Sequence, residues 1–291
     1  MPNTHLNIVR QGEASRTALQ VAQLRAVHAL LDEPVVLDDP LALPILGAPM
    51  AAALRDDPFR LNDPSARALR ASLVARARVA EDELARAVAA GVRQYVVLGA
   101  GLDTFACRNP YMAAGLNVFE VDHPATQAWK RQCLSQAGIV PPGALHFVPV
   151  DFESGALMPA LAAAGLRADK PACFTWLGVT VYLTPEAVMA TLTQVAALPA
   201  GSSITFDYRV PQALLNPFEQ AVTELFEQQV AAQGEPWLSS FEPEALGQQL
   251  HALGFSRVDD PGADAINARY FPRRKDGLRC GAAFRFACAR V

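Results

Sequence analysis

The chain has 291 residues, 51% of them hydrophobic and 19% charged, the balance of a globular protein with a sizeable buried core. Its net charge of −4 argues against a nucleic-acid partner, which usually demands a basic face. Five cysteines, with no CxxC pair, argue against a disulfide framework or a zinc site and suggest reduced thiols.

The first residues lack a basic-then-apolar signal pattern, and no run of about 18 apolar residues occurs, so the expectation is a cytoplasmic chain with no membrane partner. Arg273-Arg274-Lys275 is the one basic cluster and reads as a short solvated turn.

Helices broken by prolines fill the chain up to residue 90. Ala14 to Leu31 carries apolar residues at helical spacing, with Ser15 as a possible N-cap. Asp39-Pro40-Leu41 to Pro49 reads as a turn and a short helix. Pro64 to Ala90 is a long helix, capped by Asp63 and stopped by Gly91.

After residue 91 strands and helices alternate. Strands are expected at Tyr95 to Leu98, Asn117 to Val121, Leu145 to Val150, Ala172 to Leu177 and Ser202 to Tyr208. Helices fall between them at Pro124 to Ala137, Gly155 to Gly165 and Pro185 to Leu198, the last capped by Thr184. Pro211 to Gln233 and Pro243 to Leu253 follow as helices. Phe255 to Asp259 and Ala282 to Ala289 read as strands joined without a helix, so the last should pair antiparallel. The expected fold is α/β: a doubly wound, mostly parallel, seven-stranded Rossmann-like sheet. Residues 1–90 form a helical N-terminal cap segment, and 91–291 the core, with a helical cap insertion at about 211–241.

The first strand ends in Gly99-Ala100-Gly101, where two glycines let the backbone turn and approach a ligand closely. Asp122 lies 21 residues after Gly101, just past the second strand, from where a carboxylate reaches two ribose hydroxyls. Glu120 should point away, because neighbouring strand residues alternate sides. This pattern suits any adenosine ligand. A dinucleotide would want glycine where Thr104 stands, and acidic Asp103 would repel a pyrophosphate. S-adenosylmethionine has no phosphate and carries a sulfonium cation, so an acidic loop is compatible with it. No GxxxxGK[ST] loop and no metal-ligand cluster is apparent.

In order along the chain, Ser15-Arg16-Thr17-Ala18-Leu19, Asp39-Pro40-Leu41-Ala42, Arg76-Ala77-Arg78, Val97 to Thr104, Phe119 to Pro124 with Lys130-Arg131, Val148 to Phe152 and Gly178 to Pro185 resemble the segments of one family. It is the leucine carboxyl methyltransferase family, in its bacterial branch of small-molecule O-methyltransferases. The resemblance implies a class I methyltransferase fold, S-adenosyl-L-methionine as methyl donor and S-adenosyl-L-homocysteine as product. It also implies roles. Arg78 would pair with the methionine carboxylate. Gly99, Ala100 and Gly101 would line the donor, Asp122 bind its ribose with His123 beside it, and Asp151 and Phe152 frame the adenine. The family often carries a glutamate near the donor's amino group where this chain has Leu177, which leaves backbone carbonyls, such as that of Gly99, to meet that group.

Tyr182 is the best-placed polar side chain for the acceptor, and His123 is a weaker candidate base. A carboxylate acceptor needs no base, whereas a phenol or polyketide hydroxyl does. Phe218, Phe226, Trp237 and Phe241 suggest an apolar acceptor pocket under the 211–241 cap. The expected partner is a small-molecule acceptor, with the chain a monomer or homodimer. Two rival readings are an NAD-dependent oxidoreductase, for which no Tyr-x-x-x-Lys pair is present, and a non-catalytic cofactor-binding module.

Overall fold

A computed structural model describes residues 16–152, 157–232 and 234–291. The expected cap Ser15, the start of the first helix at Ala14, the first residues of the Gly155 helix and the end of the 211–233 helix at Gln233 lie outside the described residues.

Among the described residues three α-helices precede the sheet: α1 (Arg16–Leu31), α2 (Ala48–Asp56) and α3 (Pro64–Ala89). Helix α3 starts where expected, because the Asp63 carboxylate accepts the Ser65 and Ala66 N–H groups and Pro64 has no N–H to lose. It stops at Gly91, which adopts φ +96° just past the cap residue Ala90.

The core follows as β1 (Gln94–Leu98), β2 (Asn117–Asp122), α4 (Pro124–Gln136), β3 (Leu145–Pro149), α5 (Leu157–Ala163), β4 (Cys173–Trp176), α6 (Pro185–Ala196) and β5 (Ser203–Arg209). Then come α7 (Pro217–Ala232), α8 (Pro243–Leu253), β6 (Arg257–Asp259), α9 (Ala263–Tyr270) and β7 (Phe284–Arg290). The sheet order is β3-β2-β1-β4-β5-β7-β6. Strands β1 to β5 run parallel, and β7 is antiparallel to both β5 and β6. The order reverses between β1 and β4, which opens a crevice at the carboxyl ends of those strands.

The central strands β1 and β4 are buried on both faces, hence their largely apolar sequences. Val96, Leu98, Phe174 and Phe206 pack on one face with Leu161, Val188, Leu192 and Leu250 of the flanking helices. Tyr95, Val97 and Val118 face the other way, onto Leu84 and Val88 of α3. Further along α3, Ala71 and Val74 meet Ile266, Phe286 and Cys288.

Two expectations need correction. A helix, α9, does intervene between the last two strands. Its apolar spacing is short, and only Ile266 is buried, so the pattern is faint. The strand β7 is antiparallel all the same, since it returns between β5 and β6. The long 211–233 helix is also interrupted: a 3₁₀ turn at Gln212–Leu214 precedes α7, which begins at Pro217. Pro217 has no N–H for a helix interior and fits the first turn. In the basic cluster, Arg273 and Lys275 are exposed, but Arg274 is packed, pairing with Asp276 and donating to the Pro34 carbonyl.

Candidate active site

A cavity of about 240 Å³ occupies the crevice where the strand order reverses. Its floor is the loop after β1. Gly99 and Gly101 sit at φ +68° and +47°, where residues with a Cβ are strained. A Cβ on Gly99 would also overlap the Val179 side chain. We therefore expect Gly99→Ala to destabilise the fold by about 2–4 kcal/mol, the sum of backbone strain and overpacking. Urea unfolding measures this. The Gly99→Ala/Val179→Ala pair should recover only the overlap part.

Asp122 ends β2 and faces the cavity. The Gly101 N–H donates to its Oδ2 at 2.6 Å and the His123 N–H to its Oδ1 at 2.7 Å. Each oxygen keeps a further lone pair, so the carboxylate is fixed and can still accept two hydroxyls. Burial pushes its pKa up, an effect these two N–H groups only partly offset. His123 lines the same wall and caps α4, its Nδ1 accepting the Ala125 N–H at 3.3 Å. Glu120 stands two residues before Asp122, so alternation puts it on the same strand face and does not turn it away; it is kept out of the cavity by pairing with Lys130 at 2.5 Å inside the protein.

Asp151 and Phe152 line the cavity at the end of β3, with the Phe152 ring tilted against Trp176. Ala100, Leu177 and Tyr182 line it too. The Tyr182 phenol is pushed up by burial and by the nearby Glu235 charge, against hydrogen bonding to Thr17.

Arg78 is different. It is half exposed, pairs with Asp82 one helical turn on at 2.9 Å, and does not line the cavity. Of Arg76 and Arg78 it is Arg76 that lines the cavity, as does Arg25 of α1. Positions two apart on a helix face different ways, so only one arginine of the Arg76-Ala77-Arg78 element can turn inward. Arg76 donates to Asp207 Oδ2 at 2.6 Å, while Asp207 Oδ1 accepts the Gly178 N–H at 2.6 Å. A Cβ on Gly178 would come within 2.7 Å of the guanidinium, so glycine at φ +72° makes room for it.

The acidic Asp103 also proves to be compensated. Arg25 donates to its Oδ2 at 2.8 Å and to Asp39 Oδ2 at 2.6 Å. Arg108 joins this cluster through Glu81 and Asp39. Burial pushes the Asp103 carboxyl up, but Arg25, Lys130 and Arg108 outweigh this and hold it at about 2. A carboxyl lowered on folding stabilises the folded state above its unfolded pKa and loses that contribution as pH falls through the folded one. From 3.8 unfolded to about 2 folded the shift corresponds to about 2 kcal/mol. Asp103→Asn should thus lose that much at pH 7 relative to wild type, and the gap should close between about pH 4 and pH 2 in urea-unfolding series. Glu120 and Asp122, raised by burial, act in the opposite sense, so the comparison is between the two variants and not the whole curve.

The expected aromatic pocket is not at the cavity. Phe218 is exposed, Phe226 is half-buried on α7, Phe241 lies in the core against Tyr208, and Trp237 packs edge-on to Phe284. Of residues 211–241, Glu235 lines the cavity. Sequence reasoning missed it, and missed Arg76 as the inward residue. The Arg76-Ala77-Arg78 element marked the region, but nothing marked Glu235. Among the described residues no cluster of His, Cys, Asp and Glu could hold a metal ion, and no helix is long and apolar enough to cross a membrane.

A doubly wound sheet with a glycine loop and a carboxylate held beside it at the switch point has the layout in which such folds bind ligands. A sequence model described as leucine carboxyl methyltransferase matches residues 18–196. YktD of Bacillus subtilis (strain 168), provisionally named an S-adenosyl-L-methionine-dependent methyltransferase, is 34% identical over 93% of this chain and 95% of its own. A similarly named protein of Mycobacterium avium (strain 104) is 30% identical over 90% of this chain and 88% of its own. A crystal structure of a provisionally named methyltransferase from Thermobifida fusca YX shares the fold, with TM-score 0.58, 18% identity, and coverage of 99% of this chain and 98% of that one. The protein belongs to the leucine carboxyl methyltransferase family and is an S-adenosyl-L-methionine-dependent methyltransferase. The oxidoreductase and non-catalytic readings are not favoured.

Proposed function

We propose that this enzyme is an O-methyltransferase of small molecules, moving the methyl group of S-adenosyl-L-methionine to a carboxylate or hydroxyl oxygen. The observation that carries this reading is Asp122, held by two N–H groups beside the glycine loop with lone pairs to spare. Asp122 receives the ribose hydroxyls. Asp151 and the Phe152 N–H meet the adenine edge. Arg76, in place of Arg78, faces the methionine carboxylate. Its guanidinium keeps donors beyond the one given to Asp207. With Leu177 where the family has a glutamate, carbonyls of the Gly99 loop meet the amino group. When bound, the sulfonium supplies an electrophilic methyl carbon. The protein's part is to hold the acceptor oxygen in line with that carbon in a site shielded from water.

Tyr182 is proposed to orient the acceptor, with residues 1–90 and 211–241 forming the cap over it. The same reading has the enzyme working in the cytoplasm as a monomer or homodimer.

Calorimetry with S-adenosyl-L-methionine, S-adenosyl-L-homocysteine and NAD tests the site. Binding of both S-adenosyl compounds and not of NAD is expected. The reverse result refutes the reading. A labelled-methyl screen over carboxylic acids and phenols then separates the acceptor classes.

A further inference from the structure

Glu235 stands apart from every other carboxylate of the cavity. It follows α7, with its N–H donating to the Val230 carbonyl at 2.9 Å, and the residue is only 4% exposed. Neither of its carboxylate oxygens has a hydrogen-bond partner among the described residues. Asp122 and Asp103 each accept from an N–H or a guanidinium, and Glu81 pairs with Arg108. Arg76, on the same cavity wall, is engaged by Asp207. A buried acceptor without donors is unfavourable in the empty protein. Such a group is retained where a ligand brings the missing donor.

Its neighbours say which ligand. Glu235 lines the cavity with Thr17, Arg76, Gly178, Val179 and Tyr182, on the β4 side of the switch point. The ribose acceptor Asp122 and the adenine frame at Asp151 and Phe152 belong to β2 and β3, on the other side. With Arg76 given to the donor's methionine carboxylate, the Glu235 and Tyr182 part of this end is left for the acceptor. An anionic acceptor there would meet a like charge in a poorly solvated wall. A neutral O–H would supply the missing donor.

We propose that Glu235 is the proton acceptor for a neutral hydroxyl substrate (an alcohol, enol or phenol) and that this enzyme methylates such hydroxyls in preference to carboxylates. The proposal rests on the methyl-transfer reading above. As the acceptor oxygen bonds to the methyl carbon, its O–H bond breaks and the proton passes to a Glu235 oxygen. The carbon–sulfur bond breaks with its electron pair staying on sulfur, so one carboxylate and one sulfonium become a carboxylic acid and a neutral thioether. The proton is then lost to water. Tyr182 is less suited to this task, because its phenol is pushed further from ionisation.

The test uses the full chain and Glu235→Gln. Three readouts are taken: transfer of tritiated methyl from S-adenosyl-L-methionine to simple phenols and to matched benzoic and cinnamic acids, calorimetry with S-adenosyl-L-homocysteine, and thermal melting of the donor-free protein. Wild type should methylate a phenol, and Glu235→Gln should slow that transfer at least 100-fold, the scale of a lost general base. S-adenosyl-L-homocysteine affinity should stay within about twofold. Melting of Glu235→Gln should rise by about 2–6 °C, because an unpaired buried charge has gone. A melting point that falls would mean that Glu235 has a structural partner, and would overturn the proposal. So would tenfold weaker S-adenosyl-L-homocysteine binding, which would assign Glu235 to the donor's amino group. A panel with no methylated hydroxyl, or a Glu235→Gln enzyme of undiminished rate, overturns it equally. Failure of wild type to bind either S-adenosyl compound is a separate outcome and sinks the methyl-transfer reading itself.

Discussion

Asp122→Ala should weaken S-adenosyl-L-homocysteine binding by about 100- to 1,000-fold in calorimetry. A carboxylate accepting two ribose hydroxyls makes two charge-assisted hydrogen bonds of about 1.5–3 kcal/mol each, and their joint loss amounts to about 3–4 kcal/mol. The substitution removes more than those contacts, since the Gly101 and His123 N–H groups lose their acceptor as well. Asp122→Asn separates the two effects. Its amide oxygen can accept one N–H, but its NH₂ opposes the other, so an intermediate loss is expected. A loss under tenfold for the alanine variant would remove Asp122 from the site. There is a pH signature as well. Burial raises this carboxyl, and the ionised form is the better acceptor, so affinity should begin to fall on the acid side sooner than an ordinary aspartate would allow.

The largest stability effect is expected at Arg70. This guanidinium is 1% exposed and grips Asp32 with two N–H groups, Nε at 2.7 Å and Nη2 at 2.9 Å. It also donates to the Leu61 carbonyl and to Asn62 Oδ1, tying α3 to the chain that enters it. Asp32 is shared with His28 Nδ1 at 2.8 Å, and His28 Nε2 accepts the Val36 and Leu37 N–H groups. Burial pushes the Asp32 carboxyl up, but His28 and Arg70 outweigh it and hold it below the ordinary range. Arg70→Met strands a buried carboxylate and should destabilise the fold by about 3–5 kcal/mol. For a domain of this size that is a fall in melting temperature of roughly 6–15 °C. Arg70→Lys should recover little, because an ammonium cannot reproduce the paired N–H geometry. The Arg70→Met/Asp32→Leu pair should lose less than Arg70→Met alone, as the stranded charge is gone. Equal losses in the two variants would show that Asp32 is not left uncompensated.

The fold was legible in the sequence to the extent that local chemistry sets it. Asp63-Pro64 and Thr184-Pro185 start helices because a side-chain acceptor and a missing N–H solve the same end problem at once. The central strands β1 and β4 are largely apolar, being covered on both faces. Helix α9 escaped notice because so little of it is buried, and Pro217 divided a segment that reads as one helix.

At the site the division is similar. Gly101 and Asp122 meet because β1 and β2 pair in parallel, which sets the glycine loop and the carboxylate side by side at the strand ends. Arg76 and Arg78 could not be told apart from sequence order. Which of them turns inward depends on how α3 rotates against β5, where Asp207 waits to receive a guanidinium. The same holds for Asp103, whose charge looked free to repel phosphates until Arg25 came back across α1 to neutralise it.

The sequence by itself determined the family, with its methyl donor, and the parallel sheet, because each follows from residues close in the chain or from segments in fixed order. Only the tertiary structure decided which charges face the cavity and which are cancelled by a partner. Glu235 is the sharpest case. A glutamate after a helix is ordinary on the page of a sequence, and it acquires meaning only once packing removes it from water and provides no donor in exchange.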